Sequence, residues 1–414
     1  MDKTIEVVTF GCRLNSYESN VIRSNLNDMG LENIVVFNTC AVTSEAERQA
    51  KQAIRRMKRE NPEKKIIVTG CAAQLNPQKF ISMPEVEKVL GNIEKLDYKS
   101  YLDTKNKVLV NDIMSVKETA SHFVKSFNEK SRAFIEVQNG CNHRCTFCII
   151  PFARGRSRSV PIGAIATQIQ VLINEGYKEI VLTGVDITGY GIDLPGKPSF
   201  AQMIKRVLNL VPELQRLRIS SIDVAEVDPE LFDLFAYEKR ILPYVHISSQ
   251  SGSDIILKRM MRRHKREHVI NFCNKLREKR KNISFGADLI AGFPTEDDDM
   301  FADTVRLVDE AGLSFLHVFP YSERSGTKAS EMPQLPKSIR KERAQILINK
   351  GKQNMLNFFD ANIGQTHKIL VEQNNLGYTE NFIQVKFEHN TQFNLIVNAK
   401  LTRIKNNYVI AEII

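Results

Sequence analysis

No apolar run in the 414-residue chain approaches the ~20 residues needed to span a bilayer, so a transmembrane helix is not expected. The opening residues, Met1-Asp2-Lys3-Thr4-Ile5-Glu6, lack a basic stretch followed by an apolar one and run straight into a strand-like segment. The sequence therefore predicts a cytoplasmic protein without a secretory signal and without membrane contact. Cysteine is scarce, with seven residues in all, an odd number. In a reducing compartment this excludes a disulfide framework and directs attention to ligand clusters. Neither sign of charge dominates: 58 Lys and Arg face 48 Asp and Glu, a net +10. That excess permits a polyanionic partner such as nucleic acid without requiring one. With 42% hydrophobic and 26% charged residues, a largely disordered chain is also excluded. The length corresponds to two or three domains.

What is present is alternation of strand and helix. Ile5–Phe10, Ile34–Phe37 and Lys65–Thr69 read as buried strands. Between them lie helical segments, one from Ser16 to Met29 and one from an N-cap at Ser44, with Glu47 at the capping-box offset, to about Glu60. Strands separated by helices argue for a parallel sheet. Asn111 to Arg132 is polar and poorly patterned and reads as a linker. Six further strands follow, at Phe134–Val137, Glu179–Leu182, Leu217–Ile219, Tyr244–Ile247, Ser284–Ile290 and Phe315–Phe319. Their number and spacing suit a partial (β/α) barrel of six units better than a doubly wound sheet. A basic helix from about Pro336 to Asp360 leads to short alternating stretches, His367–Val371, Ile383–Phe387, Asn394–Val397 and Tyr408–Ala411. With turns at Asn374–Gly377 and Lys405–Asn407, these predict a small β-barrel. The class is α/β, with domains expected at 1–108, 127–356 and 359–414.

The cysteines fall into two groups, with Cys273 left on the apolar face of a helix among Val269, Phe272 and Leu276. Cys141-Asn142-His143-Arg144-Cys145-Thr146-Phe147-Cys148 is a C-x3-C-x2-C run just after a strand. A structural zinc ion wants four ligands, and His143, inside the loop, is badly placed to be the fourth. Three thiolates leave one iron of a 4Fe–4S cluster open to a small molecule. Cys12, Cys40 and Cys71 are spaced by 28 and 31 residues, about one βα unit, each at the carboxyl end of a predicted strand. Strand ends of an open parallel sheet share one edge, so these three thiols can converge on a second cluster. The alternative is that each is an ordinary buried thiol.

The C-x3-C-x2-C run resembles the signature of the radical S-adenosylmethionine superfamily. There the open iron chelates S-adenosylmethionine, whose reductive cleavage releases a 5′-deoxyadenosyl radical. Phe147 corresponds to the aromatic residue that packs near the adenine. The order of a three-cysteine α/β domain, this barrel and a small β-barrel resembles the methylthiotransferase branch over essentially the whole chain, the last barrel being similar to the RNA-binding TRAM domain. The resemblance implies two 4Fe–4S clusters, held by Cys12, Cys40 and Cys71 and by Cys141, Cys145 and Cys148, with S-adenosylmethionine as the other cofactor. It makes Cys141, Cys145 and Cys148 the catalytic centre. Leu182-Thr183-Gly184-Val185-Asp186 and Asp288-Leu289-Ile290-Ala291-Gly292-Phe293-Pro294 resemble later strand ends of the family, and Gly184 and Gly292 are expected cofactor contacts.

Gly11-Cys12-Arg13-Leu14-Asn15 with Glu18 resembles the branch acting on N6-threonylcarbamoyladenosine at tRNA position 37, in the anticodon loop. Sister branches act on isopentenyladenosine in tRNA or on a ribosomal protein. An electron donor and a sulfur donor are implied partners. A different class, an iron–sulfur electron carrier or an RNA-binding scaffold, is disfavoured because a carrier would close its clusters with four protein ligands. Arg154, Arg156 and Arg158 are equally open to phosphate binding and to a surface role. The run from Lys258 to Arg266 defaults to a solvated face. Residues 362–414 carry five basic and four acidic residues, a weak balance for a phosphate-binding barrel. There Phe382, Phe387 and Phe393 could stack on bases or fill a core.

Overall fold

The computed structural model describes residues 5–30, 32–116 and 131–414. The first five strands, β1 (Glu6–Thr9), β2 (Ile34–Thr39), β3 (Lys65–Gly70), β4 (Lys88–Leu90) and β5 (Val108–Leu109), pair in chain order and all in parallel. β4 and β5 were not legible as strands because three and two residues carry no periodicity.

Helix α1 (Arg13–Asp28) starts three residues before the expected Ser16. It is buried on two sides. Ile22 and Leu26 pack on Val7, Ile34 and Val36 of the sheet, while Leu14, Tyr17 and Val21 join the core of the next domain. In α2 (Ser44–Glu60) the N-cap is Thr43 rather than Ser44; its Oγ1 accepts from the Ala46 amide at 3.1 Å. Thr43 has the extended backbone a cap requires. Glu47 therefore misses the capping-box position and pairs with Lys51 and Lys79.

Of the expected linker, residues 117–130 lie outside the described residues. Its start is anchored, with Ile113 buried in a 3-10 turn. The six barrel strands all form: β6 (Arg132–Glu136), β7 (Glu179–Thr183), β8 (Leu217–Ile219), β9 (Tyr244–Gln250), β10 (Ser284–Ala291) and β11 (Leu313–Pro320). β6–β8 and β9–β11 are parallel triplets, joined by bridges between Leu217 and Ile241 and between Ile222 and Ile247. The result is an open arc of six strands with helices outside, and α1 packs beside β6. Short helix α3 (Cys71–Leu75) begins at a cysteine of one group, and α4 (Ile150–Arg154) starts two residues after Cys148 of the other. Cys273 is fully buried in α5 (Arg266–Lys279), as its apolar neighbours predicted.

Helix α6 (Lys337–Asp360) carries the chain to a closed barrel of β12 (Thr366–Val371), β13 (Leu376–Tyr378), β14 (Gln384–Phe387), β15 (Ile396–Lys405) and β16 (Tyr408–Ile413). β13 begins inside the stretch read as a turn, because Asn374 and Asn375, both at positive φ, complete the turn alone. β15 starts later than expected and runs to Lys405. Phe359 of α6 fills the barrel's core with Ile369, Val385 and Leu401.

The small barrel is docked rather than tethered. Buried Arg218 donates to Glu179 at 2.6 Å and to the carbonyls of Thr379 and Glu380 at 2.8 and 3.1 Å. Phe382 stacks on Tyr244 with ring centroids 4.2 Å apart, and the Ser284 hydroxyl donates to the Asn381 carbonyl. Phe382 is thus engaged at the junction and Phe387 is core; of the three aromatics considered for base stacking, Phe393 alone is exposed. Arg218→Ala leaves two barrel carbonyls without their donor and removes one cation from buried Glu179. We expect a loss of about 3 kcal/mol in denaturant unfolding, with trypsin releasing the C-terminal barrel first. Unchanged stability and cleavage order would contradict this docking.

Candidate active site

The N-terminal thiols converge because of register. Thr39 on β2 pairs with Gly70 on β3, so Cys40 and Cys71 leave neighbouring strands at one level, and Thr9 on β1 pairs with Asn38 next to them. Close approach explains both glycines here. Gly70 has φ +94°, and a Cβ on it would lie 2.3 Å from the Thr39 carbonyl; a Cβ on Gly11 would lie 2.6 Å from Cys40 Sγ. Cys40 and Cys71 are buried, whereas Cys12 is open to solvent on one side. Burial pushes the Cys40 thiol up to about 12, and crowding by protein on its inner side also raises Cys12. The three thiols lie within one another's electrostatic reach and within that of Arg154.

The second loop is pinned from several directions. The Cys141 amide donates to the Gly155 carbonyl at 3.1 Å and the Thr146 amide to the Met260 carbonyl at 3.1 Å, while the Ala329 amide donates to Thr146. Cys141, Cys145 and Cys148 are each half-buried. Burial raises Cys141, helped by Asp186, and raises Cys148 to about 12. Arg262 Nη1 sits 3.7 Å from Cys145 Sγ and donates to the Ser248 carbonyl through Nη2. So the basic run from Lys258 to Arg266 is only partly a solvated face. Lys258 and Lys265 are exposed, but Arg262 turns inward and Arg263 reaches Asp223 and Glu226. Phe147 packs with Met260, Ile290, Phe293 and Tyr321. Gly184 lies where a Cβ would meet the Gln138 carbonyl at 2.6 Å, and Gly292 packs against Arg340.

His143 turns away from a zinc role. Its Nε2 lies 3.0 Å from Asp186 and 3.4 Å from Glu226, and these carboxylates push its pKa up to about 10. An imidazole that ligates metal must be neutral. Cys141, His143 and Asp186 do have ligand atoms within 4.8 Å of one another, as do His246, Asp288 and His317 inside the barrel.

Arg154 corrects the sequence reading most sharply. It is neither a phosphate ligand nor a surface residue: it is buried and grips Glu18 of α1 with both nitrogens, at 2.8 and 2.9 Å, while donating to Asn15 at 2.6 Å. Lys95 completes the network, 2.7 Å from Glu18 and from Asn92. Burial alone would raise the Glu18 carboxyl, but Arg154 and Lys95 outweigh it and hold it well below the usual range. Arg158 is buried too and donates to backbone carbonyls, and Arg156 is exposed. Asn92 Nδ2 donates to the Ala153 carbonyl and points toward Cys71 Sγ, 3.8 Å away. Ile149 and Ala153 pack in one cluster with Ala41, Cys71 and Ala72. The loop of one cysteine group and the sheet edge of the other therefore share a wall.

Sequence reasoning missed Lys95, Asn92, Glu136 and Glu226, which stand in no motif. It also missed a cleft of about 1350 Å³ between the two domains. Arg48, Lys51, Lys79, Arg324, Lys337 and Lys341 outnumber Glu45, Glu47 and Glu323 along its lining, and it reaches Ile149, next to Cys148.

Residues 135–308 match the radical SAM superfamily and residues 4–91 match the uncharacterized protein family UPF0004. The chain is 60% identical over 404 residues to the threonylcarbamoyladenosine tRNA methylthiotransferase MtaB of Rickettsia prowazekii, spanning 98% of this chain and 96% of that protein. The chain belongs to this methylthiotransferase family. The MtaB protein of Aquifex aeolicus is 37% identical, over 92% of this chain and 95% of its own. A tRNA-2-methylthio-N(6)-dimethylallyladenosine synthase of Finegoldia magna is 30% identical, over 89% and 84%. In fold, the methylthiotransferase chain is similar to the radical S-adenosylmethionine methyltransferase TsrM of Kitasatospora setae, with TM-score 0.57 and 15% identity over 80% of this chain and 75% of that one. S-adenosylmethionine and a 4Fe–4S cluster are accordingly cofactors of the family. No helix among the described residues is long and apolar enough to cross a membrane.

Glu136, at the end of β6, is buried within electrostatic reach of Glu18, and burial first and Glu18 second raise its pKa to about 7. An unfolded Glu titrates near ~4.3. Its charge therefore opposes folding increasingly as pH rises from ~4.3 to about 7, and by a constant amount above that. Glu136→Gln should gain Tm relative to the parent as pH rises from 5 to 7 and then level off. A difference independent of pH would contradict this environment.

Proposed function

We propose that this chain adds a methylthio group to C2 of N6-threonylcarbamoyladenosine at position 37 of tRNA, using two 4Fe–4S clusters and S-adenosylmethionine. The observation that carries the reading is the shared wall, which joins the loop of one three-thiol group to the sheet edge of the other at the carboxyl ends of parallel strands. That is where (β/α) folds gather reactive residues.

The residues present fit the two clusters. Each group offers three cysteines and leaves one iron of a four-iron cluster without a protein ligand. The N-terminus of α1 has no side-chain cap and no acidic residue in its first turn, so its amides and dipole favour an anionic cluster beside Cys12. Arg154 adds a fixed positive charge beside Cys12 and Cys71, and Arg262 does the same beside Cys145. When bound, the Cys141–Cys145–Cys148 cluster with S-adenosylmethionine supplies the radical that opens an unactivated C–H bond, and the second cluster supplies the sulfur. Phe147 offers a face for the adenine, and Gly184 and Gly292 keep the backbone near the cofactor. Asp186 and Glu226 hold His143 in its protonated form, which does not ligate a metal. An electron donor and a sulfur donor complete the cycle.

The anticodon loop is single-stranded, so its base can be unstacked and held beside the two thiol groups. The basic cleft opening beside Ile149 suits the RNA backbone, and its grip should weaken with salt. The small barrel, with three aromatics of which two are engaged, is the weaker candidate for base stacking. The test has two arms. Cys12, Cys40 and Cys71 replaced together by Ala should still cleave S-adenosylmethionine but transfer no methylthio group; the same change at Cys141, Cys145 and Cys148 should abolish both. Purified enzyme should then modify tRNA bearing N6-threonylcarbamoyladenosine in preference to isopentenyladenosine tRNA or ribosomal protein. Transfer by the first variant at the parent rate would overturn the division of labour, and product on ribosomal protein alone would overturn the substrate.

A further inference from the structure

The central barrel carries a polar cluster that the cysteine chemistry leaves unused. His246 on β9, Asp288 on β10 and His317 on β11 stand side by side: His246 Nε2 is 3.0 Å and His317 Nδ1 is 3.2 Å from Asp288 Oδ1. The Tyr244 hydroxyl is 2.7 Å from His246 Nδ1, and Phe382 of the small barrel stacks beneath Tyr244. Arg13, the first residue of α1, is half-buried and lies within electrostatic reach of Tyr244, Arg132, Asp288 and Glu179.

The charges here do not balance. Arg216 and Arg218 share Glu179, and Arg132 pairs with Glu372 at 2.6 Å. Asp288 is occupied by the two histidines. Four guanidiniums therefore face three carboxylates, and Arg13 is the one left over. Among the described residues it has no hydrogen bond or ion pair, although it is half-buried. A guanidinium in that state matches a planar carboxylate, which it can bind through two parallel hydrogen bonds.

We propose that Arg13 is the residue that determines specificity for the N6 substituent, its guanidinium receiving the carboxylate of the threonylcarbamoyl group. This deepens the reading of the target given above and rests on it. The chemistry of adenine supports the placement. N6 is carried on C6, and C6 and C2 flank N1 on one edge of the ring, so a residue that grips the N6 substituent also aims C2. Arg13 follows Cys12 directly in the chain. The grip on the substituent and the thiol group assigned to sulfur are therefore one residue apart. A neutral N6 substituent would leave Arg13 enclosed and unpaired, which penalises the wrong base as well as rewarding the right one.

The test compares two anticodon stem-loop RNAs, one carrying the natural threonylcarbamoyl carboxylate and one its carboxamide. The readout is the ratio of kcat/KM for the two within each enzyme, so general damage to a variant cancels. The parent should prefer the carboxylate by about 100-fold, the size expected of a charge-assisted bidentate contact. Arg13→Gln should reduce the preference to roughly threefold or less, and Arg13→Lys should retain part of it. A parent ratio near one, or an Arg13→Gln ratio equal to the parent's, would overturn the proposal. The alternative source of a carboxylate is S-adenosylmethionine itself. If Arg13 held that group, Arg13→Gln would raise the KM for S-adenosylmethionine with both RNAs and leave the ratio at the parent value, which also overturns it. A parent that modifies neither RNA but accepts isopentenyladenosine refutes the underlying reading instead, and that outcome is visible in the parent alone.

Discussion

One buried carboxylate locks the N-terminal domain onto the radical domain beside the two cysteine groups. Glu18 lies on α1 with essentially no solvent exposure, between Arg154 of the radical domain and Lys95 of the N-terminal domain. Three charges removed from water are stable only as a set. Taking one away strands the others, at several kcal/mol. The pairing is therefore less a source of stability than a constraint on where α1 and α4 can sit. Any slip of α1 along the barrel would take Glu18 and Asn15 away from buried Arg154.

The consequences run outward from that constraint. α1 begins one residue after Cys12, and α4 begins two residues after Cys148, so fixing the helices fixes both thiol groups. Asn92 uses the same wall, donating to the α4 backbone while its amide approaches Cys71. The same placement of α1 brings Arg13 within electrostatic reach of Tyr244 and Asp288 of the barrel. At the far side, Arg218 and Phe382 seat the small barrel against the N-terminal ends of β8 and β9. The three domains are thus tied to one another by buried contacts.

The legible and illegible parts of this arrangement differ for a physical reason. Six central strands of apolar residues, and cysteines one βα unit apart, are local or periodic patterns, and the structure places them much as expected. β4, β5 and β13 are too short for any period, and the turn before β13 needed only Asn374 and Asn375 of the four residues expected to form it. A cap is decided by backbone geometry at one residue, so Thr43 and Ser44 could not be told apart. Arg154 is the instructive case. Its neighbours Arg156 and Arg158 make it look like part of a basic surface stretch, yet its partner is 136 residues away in sequence. Long-range ion pairs have no sequence period, and the same holds for Lys95 and the basic cleft.

The central claim is that both cysteine groups hold four-iron clusters beside the Glu18–Arg154 wall. The most direct measurement is anomalous diffraction at the iron edge from crystals of anaerobically reconstituted protein. The account predicts two separate peaks of about four irons each, one enclosed by Cys12, Cys40 and Cys71 and one by Cys141, Cys145 and Cys148. Iron at the second group alone, or zinc bound by Cys141, His143 and Asp186, would contradict it.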